Sequence, residues 1–213
     1  VMLNGYYTQW MDKSVTKAIG SWNGPRACIP NIDARHMGIE LEASYQPLEW
    51  LRVYGFFTIG DWRWTNDVNF TLFNEQNEKI GEYHAYIKNL HVGNAPQTSA
   101  MLGLSCMPVS GLTLGVDFNY YGRHYADFAA ADRTDEKDRA EAWKLPDYST
   151  VDLNLNYDFK MGTFRGQLFG NVNNLFNRKY ISDALDGSDH TRETAVVWYG
   201  FGITWTAGLR ISF

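Results

Sequence analysis

The chain has 213 residues, a formal net charge of -5 and a mean hydropathy of -0.37. Without a basic surplus to neutralise phosphates, the composition argues against a nucleic-acid partner. No apolar run nears the ~18 residues of a spanning helix, yet aromatic residues reach 15%, with 13 Tyr and 8 Trp. That combination fits a β-barrel with a wet lumen, where only every second residue of a strand meets lipid and rings gird both interfaces.

Taken in chain order, the pattern predicts eight strands, near residues 1–11, 35–46, 50–64, 97–107, 111–124, 147–158, 164–176 and 195–213. The opening Val1-Met2-Leu3-Asn4-Gly5-Tyr6-Tyr7 already reads as strand, not as a secretory signal. The expectation is that a signal was cleaved or that the chain begins partway through a larger one. On 35–46, Met37, Ile39, Leu41, Ala43 and Tyr45 share one face, opposite Gly38, Glu40, Glu42 and Ser44. On 50–64, Leu51, Val53, Phe57 and Ile59 oppose Arg52, Tyr54 and Thr58. On 111–124, Leu112, Leu114, Val116, Phe118 and Tyr120 oppose Thr113, Asp117 and Asn119. On 147–158, Val151, Leu153, Leu155 and Tyr157 oppose Asp152, Asn154, Asn156 and Asp158. Charges fall on the non-apolar face each time, as a lipid-facing surface demands. The last segment sets Val197, Tyr199, Phe201, Ile203, Trp205, Ala207, Leu209, Ile211 and Phe213 on one parity. Trp198, Gly200, Gly202, Thr204, Thr206, Gly208, Arg210 and Ser212 fall on the other. A single long strand over this stretch is predicted.

The connections alternate in length. Short ones hold Gln46-Pro47-Leu48-Glu49, Pro108-Val109-Ser110 and Lys160-Met161-Gly162-Thr163; long ones run about 12–34, 65–96, 125–146 and 177–194. Short periplasmic turns and long outer loops mark an outer-membrane barrel, which places Phe213 at the periplasmic rim. All six prolines (25, 30, 47, 96, 108, 146) are expected in connections or at strand starts. A soluble antiparallel sandwich also alternates, but strand length and loop asymmetry weigh against it.

Three motifs carry a family resemblance. They are Asn171-Val172-Asn173-Asn174-Leu175-Phe176-Asn177-Arg178-Lys179-Tyr180, the terminal strand ending in Phe213, and Gly38-Ile39-Glu40-Leu41-Glu42 before the turn Gln46-Pro47-Leu48-Glu49-Trp50-Leu51. Together they resemble the C-terminus of TonB-dependent outer-membrane receptors. Tyr199-Gly200-Phe201-Gly202 and Thr204-Trp205 are similar to receptors of the Bacteroidetes type. The resemblance implies a 22-stranded barrel in the bacterial outer membrane, occluded by an N-terminal plug. Such a barrel imports a scarce nutrient (siderophore-iron, cobalamin or glycan) with energy passed through TonB. Neither a plug nor a TonB-contacting box is found in this sequence, so the expectation is the last eight strands of such a receptor, whose first and last strands do not pair directly. The alternative is an autonomous eight-stranded barrel serving as structural anchor or adhesin. Eight strands leave no channel, which disfavours a passive pore.

Within that resemblance, Leu209, Ile211 and Phe213 are similar to the signal recognised by the barrel-assembly machinery. Substrate contact is expected from aromatic or His groups near the outer mouth, namely Trp62, Trp64, His84, Tyr86, Tyr121, His124 and Trp198, with an interfacial girdle as the competing role. His84 and Tyr86 are expected to share a face in a hairpin-like loop. Asn174-Leu175-Phe176-Asn177 reads as turn-forming amides with a girdle ring. The stretch Asp183 to His190 lacks EF-hand spacing and reads as a solvated acidic loop, and 132–139 as a hydrated outer loop. Cys28 and Cys106 fall on opposite sides of a ~30 Å core, too far apart for a disulfide. No cofactor, metal site or enzymatic constellation is expected.

Overall fold

Eight long strands form one antiparallel ladder, and their order follows the alternation of short and long connections. The computed structural model describes residues 1–18 and 25–213. The long strands are β1 (Met2–Ala18), β2 (Arg26–Leu48), β3 (Leu51–Trp64), β6 (Thr98–Val109), β7 (Leu112–Gly122), β8 (Tyr148–Met161), β9 (Phe164–Asn173) and β12 (Thr204–Ser212). Between β3 and β6 lies a hairpin of β4 (Val68–Phe73) and β5 (Lys79–Ala85), which attaches to the outer end of β2. A second small pair joins β10 (Ile181–Leu185) to β11 (Val196–Tyr199). The main path runs β12-β9-β8-β7-β6-β3-β2, with β1 on the far side of β2. Among the described residues, strands β1 and β12 pair only with β2 and β9 respectively, so the sheet is open as expected. No helix of the described residues is long and apolar enough to cross a membrane.

Register carries the apolar face unbroken across the sheet. Val53 pairs with Leu104, Leu104 with Val116, Val116 with Leu153, and Leu153 with Val172. A strand rotates every second side chain to the same face, so one such row fixes the parity of all its neighbours. On this parity Ile39, Leu41, Ile59, Leu102, Leu104, Phe118, Leu168, Leu209 and Ile211 stand exposed, as a lipid-facing surface requires. The opposite, lumen-facing parity holds Glu40, Glu42, Asp117, Asp152, Asp158, Arg52, Arg165 and Arg210. One side chain spans two strands on that wall. The Tyr54 hydroxyl on β3 donates to Asp117 Oδ1 on β7 at 2.6 Å. Its ring crosses β6 over Gly103, where a Cβ would lie within 2.4 Å of it.

Four expectations need correction. The connection 12–34 is not a loop, since β1 and β2 continue their ladder from Lys13 opposite Ile32 to Ala18 opposite Arg26; its centre, 19–24, lies outside the described residues. Ala27, Ile29 and Ile32 pack there with Val68, Phe70, Ala85, Ile87, Leu90 and Ala130, so extended strand buries apolar surface that a loop would leave in water. Three prolines stand inside strands. Pro30, Pro47 and Pro108 each fall at a register break (Val15/Lys13 against Ile29/Ile32, Tyr45/Leu48, Cys106/Val109), where the ladder asks for no N–H. The C-terminal stretch is not one strand: β11 pairs with β10, β12 with β9, and residues 200–203 between them are irregular. There the Asn174 amide donates to Phe201 O, Asn177 Oδ1 accepts from Ile203 N–H, and the Tyr180 ring occupies the space beside Gly200. Side chains thus replace the ladder bonds. Finally, Cys28 belongs to β2 and not to a loop, although both cysteines are free as expected.

The parity assignment is testable by charge insertion in the receptor folded into lipid vesicles. Leu153→Arg should cost about 2–4 kcal/mol in denaturant titration. Asn156→Arg, three register pairs along β8 on the lumen face, should stay within about 0.5 kcal/mol.

Candidate functional site

The lumen-facing parity bears on a competition that composition leaves open. An interfacial girdle must face lipid, whereas Trp62 and Tyr121 lie on the wall opposite the apolar rows. Trp62 sits near the outer end of β3, directly across from His36 on β2. The two rings stack with centroids 5.2 Å apart and planes 20° from parallel. Trp10 on β1 meets the other side of His36 edge-on at 6.3 Å, and Lys13 Nζ stands 5.2 Å from the Trp10 ring. The Trp62 indole N–H donates to the Tyr6 hydroxyl at 2.9 Å. Four rings on three adjacent strands therefore form one column along the upper wall.

A second column begins at Tyr121, the last lumen-facing residue of β7. Tyr148, its partner at the start of β8, lies 5.0 Å away, and Tyr180 stacks on Tyr148 at 4.1 Å. Aromatic faces of this kind can stack on planar or ring-bearing ligands while their hydroxyl and indole groups direct hydrogen bonds. His36, Trp10 and Tyr148 were not singled out from sequence. The parity of Glu40 and Glu42 marks His36 as lumen-facing, and that of Asp152 and Asn154 marks Tyr148.

The other expected contacts do not converge with these columns. Trp64 packs against the apolar cluster beneath the loops. His84 and Tyr86 do meet, edge to face at 4.6 Å, with His84 Nδ1 2.7 Å from Asn69 Oδ1 and Arg139 lying 4.8 Å from the Tyr86 ring. His124 is buried, and neither ring nitrogen has a hydrogen-bond partner. Desolvation lowers its pKa, opposed by the charge of Asp183. Trp198 is exposed on β11, paired with Asp183 of β10. Leu209 and Ile211 face outward, and the Phe213 ring lies 6.5 Å from Phe164 at the turn side. In the Asn-Leu-Phe-Asn motif, Asn174 and Asn177 adopt left-handed backbone (φ 50°), Asn174 bonds Arg178 N–H and C=O, and Phe176 is exposed. Turn-forming amides and an outward ring are what these residues supply.

The outer connections, expected as hydrated loop, also contribute buried charge. Arg133 is almost wholly buried, its guanidinium donating to Asp186 Oδ2 at 2.7 Å and to Ala140 O at 2.8 Å, with the Phe128 ring 4.9 Å away. Asp186 also accepts the Trp143 N–H and faces His190 Nδ1 at 2.6 Å. Within the acidic stretch 183–190 the Asp186 and His190 side chains are buried against Arg133, while Ser188 and Asp189 stay exposed. Residues 123–147 grip the β3–β6 connection as well. Arg139 makes a two-pronged pair with Asp67 at 2.8 and 2.9 Å, and Glu141 accepts from the His91 N–H and faces its Nδ1. Burial raises the Glu141 pKa, but the hydrogen bonds from His91 outweigh it and the net shift is downward. Asp67 is likewise raised by burial and brought lower overall by Arg139 and by the Lys88 N–H.

Truncations should separate buried from exposed pairs in this layer. Arg133→Ala leaves the buried Asp186 without its guanidinium, a loss of about 3–5 kcal/mol, and should expose 123–147 to protease. Arg139→Ala, at an accessible pair, should cost under about 1 kcal/mol and leave the cleavage pattern unchanged.

Comparison with known proteins places this geometry. Residues 1–175 match the TonB dependent receptor-like β-barrel family. The ferrichrome outer membrane transporter/phage receptor of Escherichia coli (strain K12) is 26% identical over 159 residues, 72% of this chain and 18% of that protein. The crystal structure of the ferric yersiniabactin uptake receptor from Yersinia pestis aligns with a TM-score of 0.51 at 14% identity, covering 98% of this chain and 34% of the other. The chain thus spans less than a fifth of the first relative and about a third of the second. With a family match over most of its length and an antiparallel sheet of alternating lipid and lumen faces, the chain belongs to the TonB-dependent receptor β-barrel family and resides in the bacterial outer membrane.

Proposed function

We propose that the chain forms the C-terminal part of a plugged receptor barrel that imports a scarce nutrient with energy passed through TonB. The observation that carries this reading is the pair of aromatic columns on the lumen wall, Trp10–His36–Trp62 and Tyr121–Tyr148–Tyr180, at the outer ends of their strands. The open sheet supports a larger barrel over an autonomous eight-stranded one. Unpaired edge groups facing hydrocarbon would cost several kcal/mol each, so β1 and β12 call for further strands. The remaining barrel and the plug are the partners this implies, along with lipid on the outer face. Leu209, Ile211 and Phe213 would serve recognition by the barrel-assembly machinery. Among nutrient classes, a ferric siderophore is favoured over cobalamin or a glycan, because the two relatives are described as ferrichrome and ferric yersiniabactin proteins. Ring faces suit the organic shell of such a chelate.

Alanine substitution of Trp62 or Tyr121 in the whole receptor tests the wall. Each should weaken ligand binding about three- to tenfold, the worth of a ring contact, whereas Trp205→Ala on the lipid face should leave it unchanged. Unaltered binding and uptake in both wall variants would remove the columns from the site.

A further inference from the structure

The first aromatic column continues into a cavity. Trp64 lies two residues beyond Trp62 on the same parity of β3 and forms one wall of a space of about 250 Å³. Val15 of β1, Ile29 and Ile32 of β2, Ile87 and Phe128 form other walls. Antiparallel partners share a face of their sheet, and Lys13 stands opposite Ile32. The cavity, Lys13 and the column therefore lie on one face of the wall made by β1, β2 and β3. Backbone bonds fix the roof: Val92 N–H donates to Trp62 O at 2.9 Å, and Trp64 N–H to Leu90 O at 3.0 Å. A Cβ on Gly93 would lie 2.7 Å from Ala126 O, so glycine there lets the β3–β6 connection and residues 123–147 close together over the space. Asn94 and Asp127 are its polar lining residues, and Asn94 is exposed, so the space reaches solvent.

The lining selects what can enter. An apolar cavity of about 150 Å³ already takes up benzene, and ligand pockets pair such walls with a few placed polar groups. Trp64 and Phe128 offer ring faces to an aryl group. Lys13 supplies charge on the same face. Its Nζ stands 5.2 Å from the Trp10 ring and makes no ion pair or hydrogen bond among the described residues. An ammonium without a carboxylate beside it favours an anionic group on the ligand. Asp127 would repel an anion placed inside the space, which leaves the cavity to the ring and Lys13 to the charge.

We infer that this cavity is a subsite for one aryl arm of the imported ligand, whose ring enters against Trp64 and Phe128 and whose anionic group meets Lys13. The inference rests on the reading of the chain as the wall of an importer, and it narrows the ligand. An anionic chelate bearing at least one aryl ring fits the subsite; a neutral, wholly aliphatic one leaves both the ring walls and Lys13 unused. Trp64 thereby rejoins the site as a cavity wall, while Trp62 and His36 receive the neighbouring part of the ligand.

Fluorine NMR of para-fluorobenzoate tests the subsite, with the whole receptor extracted from outer membranes in detergent and the same detergent without protein as the blank. The probe should bind saturably with Kd on the order of 1 mM, the reach of a ligand with so few atoms. Ala130→Leu and Val92→Phe each fill the cavity and should weaken that binding by about tenfold or more. Lys13→Gln should weaken it about threefold or more and leave the neutral para-fluorobenzamide as it was. Absence of saturable binding to the wild type overturns the inference, and so does wild-type affinity in a filled variant that passes the heat-modifiability test of a folded barrel. Wild-type affinity in Lys13→Gln overturns the anionic half of it. If both filled variants lose heat-modifiability, the wild-type titration and Lys13→Gln decide. The probe requires neither energised transport nor the second column, so its failure leaves Trp62→Ala and Tyr121→Ala to decide the importer reading separately.

Discussion

Hydrocarbon offers a peptide group nothing to bond with, and the arrangement of this chain descends from that. Every N–H and C=O within the bilayer must meet a neighbouring strand, so the ladder from β12 to β1 runs in long registers whose breaks fall towards the strand ends. The same solvent forbids charge on one face, and a period of two then delivers every polar residue to the other. Glu40, Glu42, Asp117 and Asp152 face the lumen because Leu41, Val116 and Leu153 must face lipid. The aromatic columns inherit their position from this rule.

Outside the bilayer the rule lapses and a different economy takes over. The buried apolar clusters of the described residues lie at the outer end of β2 and among the outer connections, one around Ile29, Phe70 and Ile87 and another around Ala126, Leu145 and Ala184. Buried charge becomes tolerable there because Arg133 and Asp186 find each other and further donors. Asp127 N–H and C=O both bond the 184–186 backbone, tying the β7–β8 connection to the β9–β12 connection before any side chain is counted. The barrel wall supplies extent, and the outer layer supplies compactness.

What the sequence disclosed follows the same division. All eight long strands, their parity and the hairpin at 67–88 were legible, because the membrane imposes a short, strict period that single residues reveal. The outer layer was not. Arg133, Asp138 and His190 sit in stretches that look like solvated loop, and their burial depends on contacts between residues over fifty positions apart. The continuity read into 195–213 failed for a related reason. Its alternation is intact, yet Asn174, Asn177 and Tyr180 intercept the backbone at 200–203, and no local pattern announces such an interception. Among the seven contact residues expected at the mouth, Trp62 and Tyr121 share the parity of the charged face, while Trp64 and His124 are drawn into packing.

The brace from Tyr54 across Gly103 to Asp117 carries an evolutionary corollary. The glycine has no freedom of its own, since any side chain there displaces the ring, and the ring has no route to its carboxylate except over a bare backbone. Divergent descendants of this chain should therefore keep or lose tyrosine and glycine together, so that the two positions are inherited as one character.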